Sequence, residues 1–115
     1  MSQRTVRMAI LVFGLFTALV HLVVLNLSMG TLDPKFTLNG LGYLGLLWLF
    51  FANPGPVRGR RVLLHYVFIG FAALTIAAYF VWGHGLADPL GVVTKLDEIL
   101  LIAALAYDLR FESKT

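Results

Sequence analysis

Apolar residues in this chain fall into four long blocks separated by short polar breaks, and inside the blocks the polar positions recur at helical spacing. Met8 to Leu27 is relieved only by Gly14, Thr17, His21 and Asn26. A run of that length can cross a hydrocarbon layer, which takes roughly 20 helical residues. Leu38 to Ala52 is the shortest block, and Asn53-Pro54-Gly55-Pro56 ends it because proline cannot continue a helix. Val62 to Trp82 and Gly91 to Leu109 complete the set. The predicted fold is all-α: an integral membrane four-helix bundle, up-down-up-down, with spans at about 8–28, 38–52, 62–82 and 91–109 in a single domain over 1–115.

Each block has faces of different character. On the first helix Gly14, Thr17, Ala18, His21 and Ser28 fall on one side, since steps of three, four and seven return to the same side. Small and polar residues at that spacing face other helices, which leaves Phe13, Phe16, Leu19 and Val23 for lipid. Asn39, Gly42, Tyr43, Leu46 and Phe50 share a face of the second helix. On the fourth, Thr94, Lys95 and Glu98 point the same way.

Composition agrees with a membrane location. The chain is 59% hydrophobic with a mean hydropathy of +0.86 and only 13% charged, more apolar surface than 115 residues could hide in one core. With no cysteine, disulfides, thiol nucleophiles and thiolate metal sites are excluded. The net charge of +3 does not point to nucleic acid, because the basic residues flank apolar blocks. Arg4, Arg7, Arg58, Arg60, Arg61, Arg110 and Lys114 fall on one side of a four-span plan, and Lys35 and Lys95 on the other. Both termini are therefore expected in the cytoplasm, across the cytoplasmic membrane of a prokaryote. Two arginines before an apolar run also resemble the start of a cleaved leader, but the run is longer than the usual ~7–15 residues.

Depth then brings the candidate chemistry together. Counted from the outer boundary, His21 lies seven residues in, or about 10 Å, and Glu98 six residues in, or about 9 Å, at 1.5 Å per residue. A charge inside the bilayer costs roughly 2.5 kcal/mol or more and marks a pairing or functional site. His21, Asn39, Tyr43, Thr94, Lys95 and Glu98 are thus expected to line a polar centre in the outer half, with Lys95 neutralising Glu98 and His21 bonded to Glu98. Asp97, turned about 100° from Glu98, is expected to meet solvent at a helix start or to contact a partner. Asp108 needs no special role, and His65 is expected at the interface near Arg58, Arg60 and Arg61, meeting headgroups or a helix neighbour. Trp82 is read as an interfacial anchor.

Three function classes remain. The first is a non-catalytic accessory or assembly subunit whose polar centre is an interhelical clasp, associating with other membrane subunits or with itself through small-residue faces. The second is an intramembrane binder or carrier of protons or of a lipid-like ligand, with bound lipid, quinone or pigment in that centre. The third is a membrane enzyme, which no motif supports. Gly40-x-Gly42-x-x-Gly45 matches a dinucleotide fingerprint by letter only, since no strand precedes it. No cofactor or metal is expected. Haem is disfavoured because His21 and His65 fall at different depths, and His84 lies in a turn outside the spans.

Overall fold

The computed structural model describes residues 2–24, 26–27, 30, 34–81 and 89–112. Ser28, Trp82, His84 and Lys114 lie outside them, and so do the expectations attached to those residues. The described chain is all-α, 94% helical and without strands. Helix α1 spans Gln3–Leu19 and widens into a π-helical turn at Val20–Val24, α2 spans Pro34–Ala52, α3 Arg61–Val81 and α4 Pro89–Glu112, with a single turn at Gly55–Arg58 before α3. Two of these, Gln3–Val24 with mean hydropathy 2.2 and Arg61–Val81 with 1.9, are long and apolar enough to cross a membrane.

Local chemistry sets the ends. Ser2 caps α1 by accepting the Thr5 N–H at 3.2 Å. Prolines open α2 and α4, where the missing N–H would have had no partner anyway. At the end of α2, Asn53 takes the left-handed conformation (φ 50°) and its N–H reaches Leu49 O at 3.2 Å. Asparagine tolerates that region, and Pro54 then prevents further helix.

Helix α4 packs mainly against α1 and α3, α1 also packs along α2, and the α2–α3 seam is the thinnest. Contacts fix the directions. Arg7 pairs with Glu112 while Thr17 meets Glu98, so α1 and α4 run antiparallel. Gly14 abuts Leu47 while His21 meets Phe36, and Phe50 meets His65 while Tyr43 meets Phe71, so the α1–α2 and α2–α3 pairs are antiparallel too. The core is Tyr43, Phe50, Phe68, Ile10, Leu101 and Leu105, all fully buried.

Of the expected faces of α1, Gly14, Thr17, Ala18 and His21 are buried, and Phe16, Leu19 and Val23 are exposed, but Phe13, expected at lipid, is partly buried against the core. Gly40 lets α2 approach α1 closely: a Cβ there would sit 2.5 Å from Leu22 Cγ and 3.0 Å from the Ala18 carbonyl oxygen. Gly45 is exposed with open space beside it, so it takes no part in this packing.

Candidate functional site

The polar side chains collect in two places, one toward each end of the molecule. At the end away from the chain termini, the carboxylate of Glu98 is fully buried. Its Oε2 accepts the Thr17 hydroxyl at 2.8 Å and the Tyr43 hydroxyl at 3.0 Å, and its Oε1 accepts Lys95 Nζ at 2.5 Å. One carboxylate thereby ties α1, α2 and α4 together. Three donors on an ionised acceptor are what makes a buried charge tolerable. Thr17 can serve because it sits one turn before His21 on the buried face of α1.

His21 does not bond Glu98 directly, as the sequence had suggested. Its Nδ1 lies 2.8 Å from the Thr17 carbonyl oxygen. A carbonyl only accepts, so Nδ1 carries a proton and donates. Thr17, whose hydroxyl is also 3.3 Å from Nδ1, stands between the imidazole and the carboxylate. The shorter side chain wins because it reaches Glu98 without turning away from its own helix. His21 belongs to the π-helical turn, a distortion that recurs at functional sites.

Beside this clasp is a cavity of about 390 Å³. Its polar lining includes His21, Lys35, Asn39, Thr75, Thr94 and Lys95. The rest is apolar or aromatic, notably Phe36, Phe71 and Tyr79. Four of the six residues expected from sequence therefore line it, and Tyr43 and Glu98 stand behind its wall. Asn39 Nδ2 donates to the Thr75 hydroxyl at 2.7 Å, the Thr75 hydroxyl donates to the Phe71 carbonyl oxygen at 3.0 Å, and Asn39 Oδ1 is buried without a partner among the described residues. Thr94 spends its hydroxyl on Leu90 O one turn back. Lys95 Nζ lies 5.0 Å above the Tyr79 ring. Among the described residues the lining carries two lysines and a histidine.

The second cluster, at the end that holds the termini, was missed. His65 and Asp108 are both fully buried, with Nε2 2.8 Å from Asp108 Oδ2 and Nδ1 2.7 Å from the Arg61 carbonyl oxygen. Both ring nitrogens face acceptors, so the pair retains one proton, as an imidazolium beside a carboxylate or as a neutral ring beside a carboxylic acid. Arg7 meets Asp108 at 3.4 Å and Glu112 at 2.5 Å. Arg61 meets Glu112 at 3.9 Å and donates to Phe50 O at 2.8 Å, satisfying a terminal carbonyl of α2. Both guanidiniums lie over the Phe50 ring, at 5.4 and 4.7 Å.

These contacts correct two expectations and decide between the alternatives of a third. Asp108 is an ion-pair partner, Arg61 is a buried cap of α2 as well as a topological charge, and His65 meets a helix neighbour, Asp108 of α4, in the core rather than headgroups. A sequence signal did exist: Arg61 and His65, like Asp108 and Glu112, are four apart, so each helix presents a pair on one face at the same end. Asp97 is also corrected. It is 9% exposed, and its Oδ2 is buried with no partner among the described residues. Because α4 has neighbours on two flanks, it buries an arc wide enough to take in Asp97 as well as Glu98.

A family model spanning residues 1–109 matches the chain. The chain belongs to DUF7475, a family of unknown function. The DUF7475 match takes in the whole Glu98 clasp, the cavity lining and every member of the second cluster except Glu112. No curated protein and no solved structure matches the chain.

Proposed function

We propose that the chain is a four-span protein of the cytoplasmic membrane, with both termini on the cytoplasmic side, and that it binds a small, partly apolar ligand bearing a hydrogen-bonding group. The observation that carries this reading is the 390 Å³ cavity, which sets the polar groups of His21, Asn39, Thr75 and Lys95 over an apolar and aromatic floor. Ligand sites are commonly apolar hollows with a few convergent polar groups. Glu98 serves as the foundation, holding the Lys95 ammonium at the cavity wall. The four-span plan is supported by the apolar outer surface, where Leu27, Leu38, Leu74 and Val81 are more than two-thirds exposed.

The test is native mass spectrometry of the full chain extracted in mild detergent. The expected result is a bound small molecule that is retained by wild type and lost from Lys95→Met and from His21→Phe, the second of which spares the clasp. Absence of any adduct, with co-purification of unlike subunits, would instead favour a non-catalytic accessory subunit. That second reading has its own observation, a carboxylate that joins three helices. Orientation is checked by introducing single cysteines into this cysteine-free chain at Lys35 and Arg60: an impermeant thiol reagent added outside should label only the first.

A further inference from the structure

We propose that the ligand is a neutral aromatic alcohol, a flat ring bearing a hydroxyl group of the phenol or hydroquinone class, which donates a hydrogen bond to His21 Nε2. This rests on the reading of the cavity as a ligand site and adds the ligand class and the atom that recognises it. His21 lines the cavity and is only 6% exposed, so the part of the residue left open is the part that meets that space. Its Nδ1 turns back to the Thr17 carbonyl oxygen at 2.8 Å. Its Nε2, across the ring, has no hydrogen-bond partner among the described residues and is not enclosed. The backbone holds the ring this way round. Val20–Val24 is a π-helical turn, in which the hydrogen-bond ladder slips from i→i+4 to i→i+5, and Thr17 O accepts the Val20 N–H as well as the imidazole.

The other polar groups of the lining are already engaged. Lys95 Nζ is held by Glu98 and lies over the Tyr79 ring, Asn39 Nδ2 donates to Thr75, and Thr75 and Thr94 donate to carbonyls of their own helices. Lys35 is engaged as well. Asn39 Oδ1 lacks a partner among the described residues but is buried out of reach. A guest therefore finds its vacant position at Nε2, and finds it as an acceptor. With Nδ1–H committed, a second proton would make an imidazolium beside the Lys95 ammonium, whose charge already matches that of Glu98, and a further buried charge is costly within a span. The complementary group is a donor, and an uncharged one, since Lys95 would repel an ammonium. Among uncharged donors the phenolic O–H is one of the most acidic and so among the strongest for an imidazole nitrogen.

The walls select a flat ring. Phe36, Phe71 and Tyr79 line the space together with His21. Each is held by a neighbouring ring: Phe71 stands edge-on to Tyr43 at 4.8 Å and 86°, Phe36 to His21 at 6.3 Å and 63°, and Tyr79 to Phe80 at 5.2 Å and 88°. Fixed aromatic faces favour an aromatic guest over a flexible alkyl chain, because stacked and edge-to-face contacts contribute beyond the area they bury. A volume of about 390 Å³ falls within the range of roughly 300–1,000 Å³ usual for small-molecule sites and takes a fused pair of rings.

The experiment measures binding of three probes to the full chain in nanodiscs, against empty nanodiscs, by calorimetry: 2-naphthol (ring and donor), 2-methoxynaphthalene (ring only) and decahydro-2-naphthol (donor only). The expected result is 2-naphthol bound about tenfold tighter than either of the others. Ala78→Phe, which fills the cavity, should abolish binding of all three. His21→Phe, which leaves the Glu98 clasp in place, should bring 2-naphthol down to the level of 2-methoxynaphthalene, and His21→Gln, whose amide oxygen can reach the Nε2 position, should restore part of the difference. In the unaltered chain 2-naphthol, and not 2-methoxynaphthalene, should move the nitrogen-15 resonance of His21 Nε2, a readout that depends on no variant folding. If 2-methoxynaphthalene matches 2-naphthol, or that resonance does not respond, the donor and its acceptor are overturned while the cavity reading stands. Decahydro-2-naphthol equal to 2-naphthol overturns the aromatic ring. If no probe binds beyond its partition into lipid, or Ala78→Phe changes nothing, both readings fail.

Discussion

Removing the Glu98 carboxylate should destabilise the fold through the lysine it leaves behind more than through the bonds it takes away. Glu98→Ala deletes the acceptor for Thr17 and Tyr43, two interhelical hydrogen bonds that contribute about 0.6 kcal/mol each in membrane proteins. It also orphans Lys95, whose side chain is only 8% exposed. An uncompensated charge within a span costs about 2.5–3.5 kcal/mol, reduced where a long stem lets the ammonium escape toward headgroups. The single change should therefore cost about 3–4 kcal/mol. Lys95→Met alone should cost less, since Glu98 keeps its two hydroxyl donors. In Lys95→Met with Glu98→Ala no charge is stranded, and the loss should fall to about 1–2 kcal/mol, giving a coupling of about 2 kcal/mol plus whatever Lys95→Met costs alone. The assay is reversible unfolding in mixed micelles, followed by far-ultraviolet circular dichroism, on the four members of the cycle. Additive losses, within about 0.5 kcal/mol, would refute the reasoning.

Other substitutions probe the rest of the molecule by the same unfolding assay. Asp97→Asn removes a buried charge that has no partner among the described residues, so stability should hold or rise, and a loss above about 2 kcal/mol would contradict this. Asp108→Asn strips the charge that faces His65 and Arg7 and should cost about 3–5 kcal/mol, whereas His65→Phe with Asp108→Leu should cost less because neither partner is left unpaired. Equal losses would sink that account. Gly40→Ala places a methyl group 3.0 Å from the Ala18 carbonyl oxygen and 3.1 Å from the Leu22 nitrogen, backbone atoms that cannot swing aside; the overpacking should cost about 1–3 kcal/mol and lower the melting temperature.

Much of the site was legible because helical periodicity is a local property. Thr94, Lys95 and Glu98 share a face whatever the rest of the chain does, and so do Gly14, Thr17, Ala18 and His21. Equal depth then suffices to set the α1 and α4 groups side by side. The step that failed was the choice of partner at that depth. The difference between His21 and Thr17 as donor to Glu98 is about one turn of rise, and it depends on how far apart two axes stand and how each side chain leaves its helix.

The sequence by itself determined the all-α character, the long apolar helices, the proline and asparagine that end or begin them, and the faces that small residues turn inward, because each of these follows from contacts within a turn or two of the chain. The tertiary structure decided which faces meet. It buried Asp97 and Asp108, which in sequence look like ordinary helix-end acids, because α4 is flanked by both α1 and α3. It joined His65 to Asp108 across 43 positions and Arg7 to Glu112 across 105. Pairings at such separations carry no local signature: they exist only once packing has chosen the neighbours, and a buried charge then takes whichever partner that choice has brought within reach.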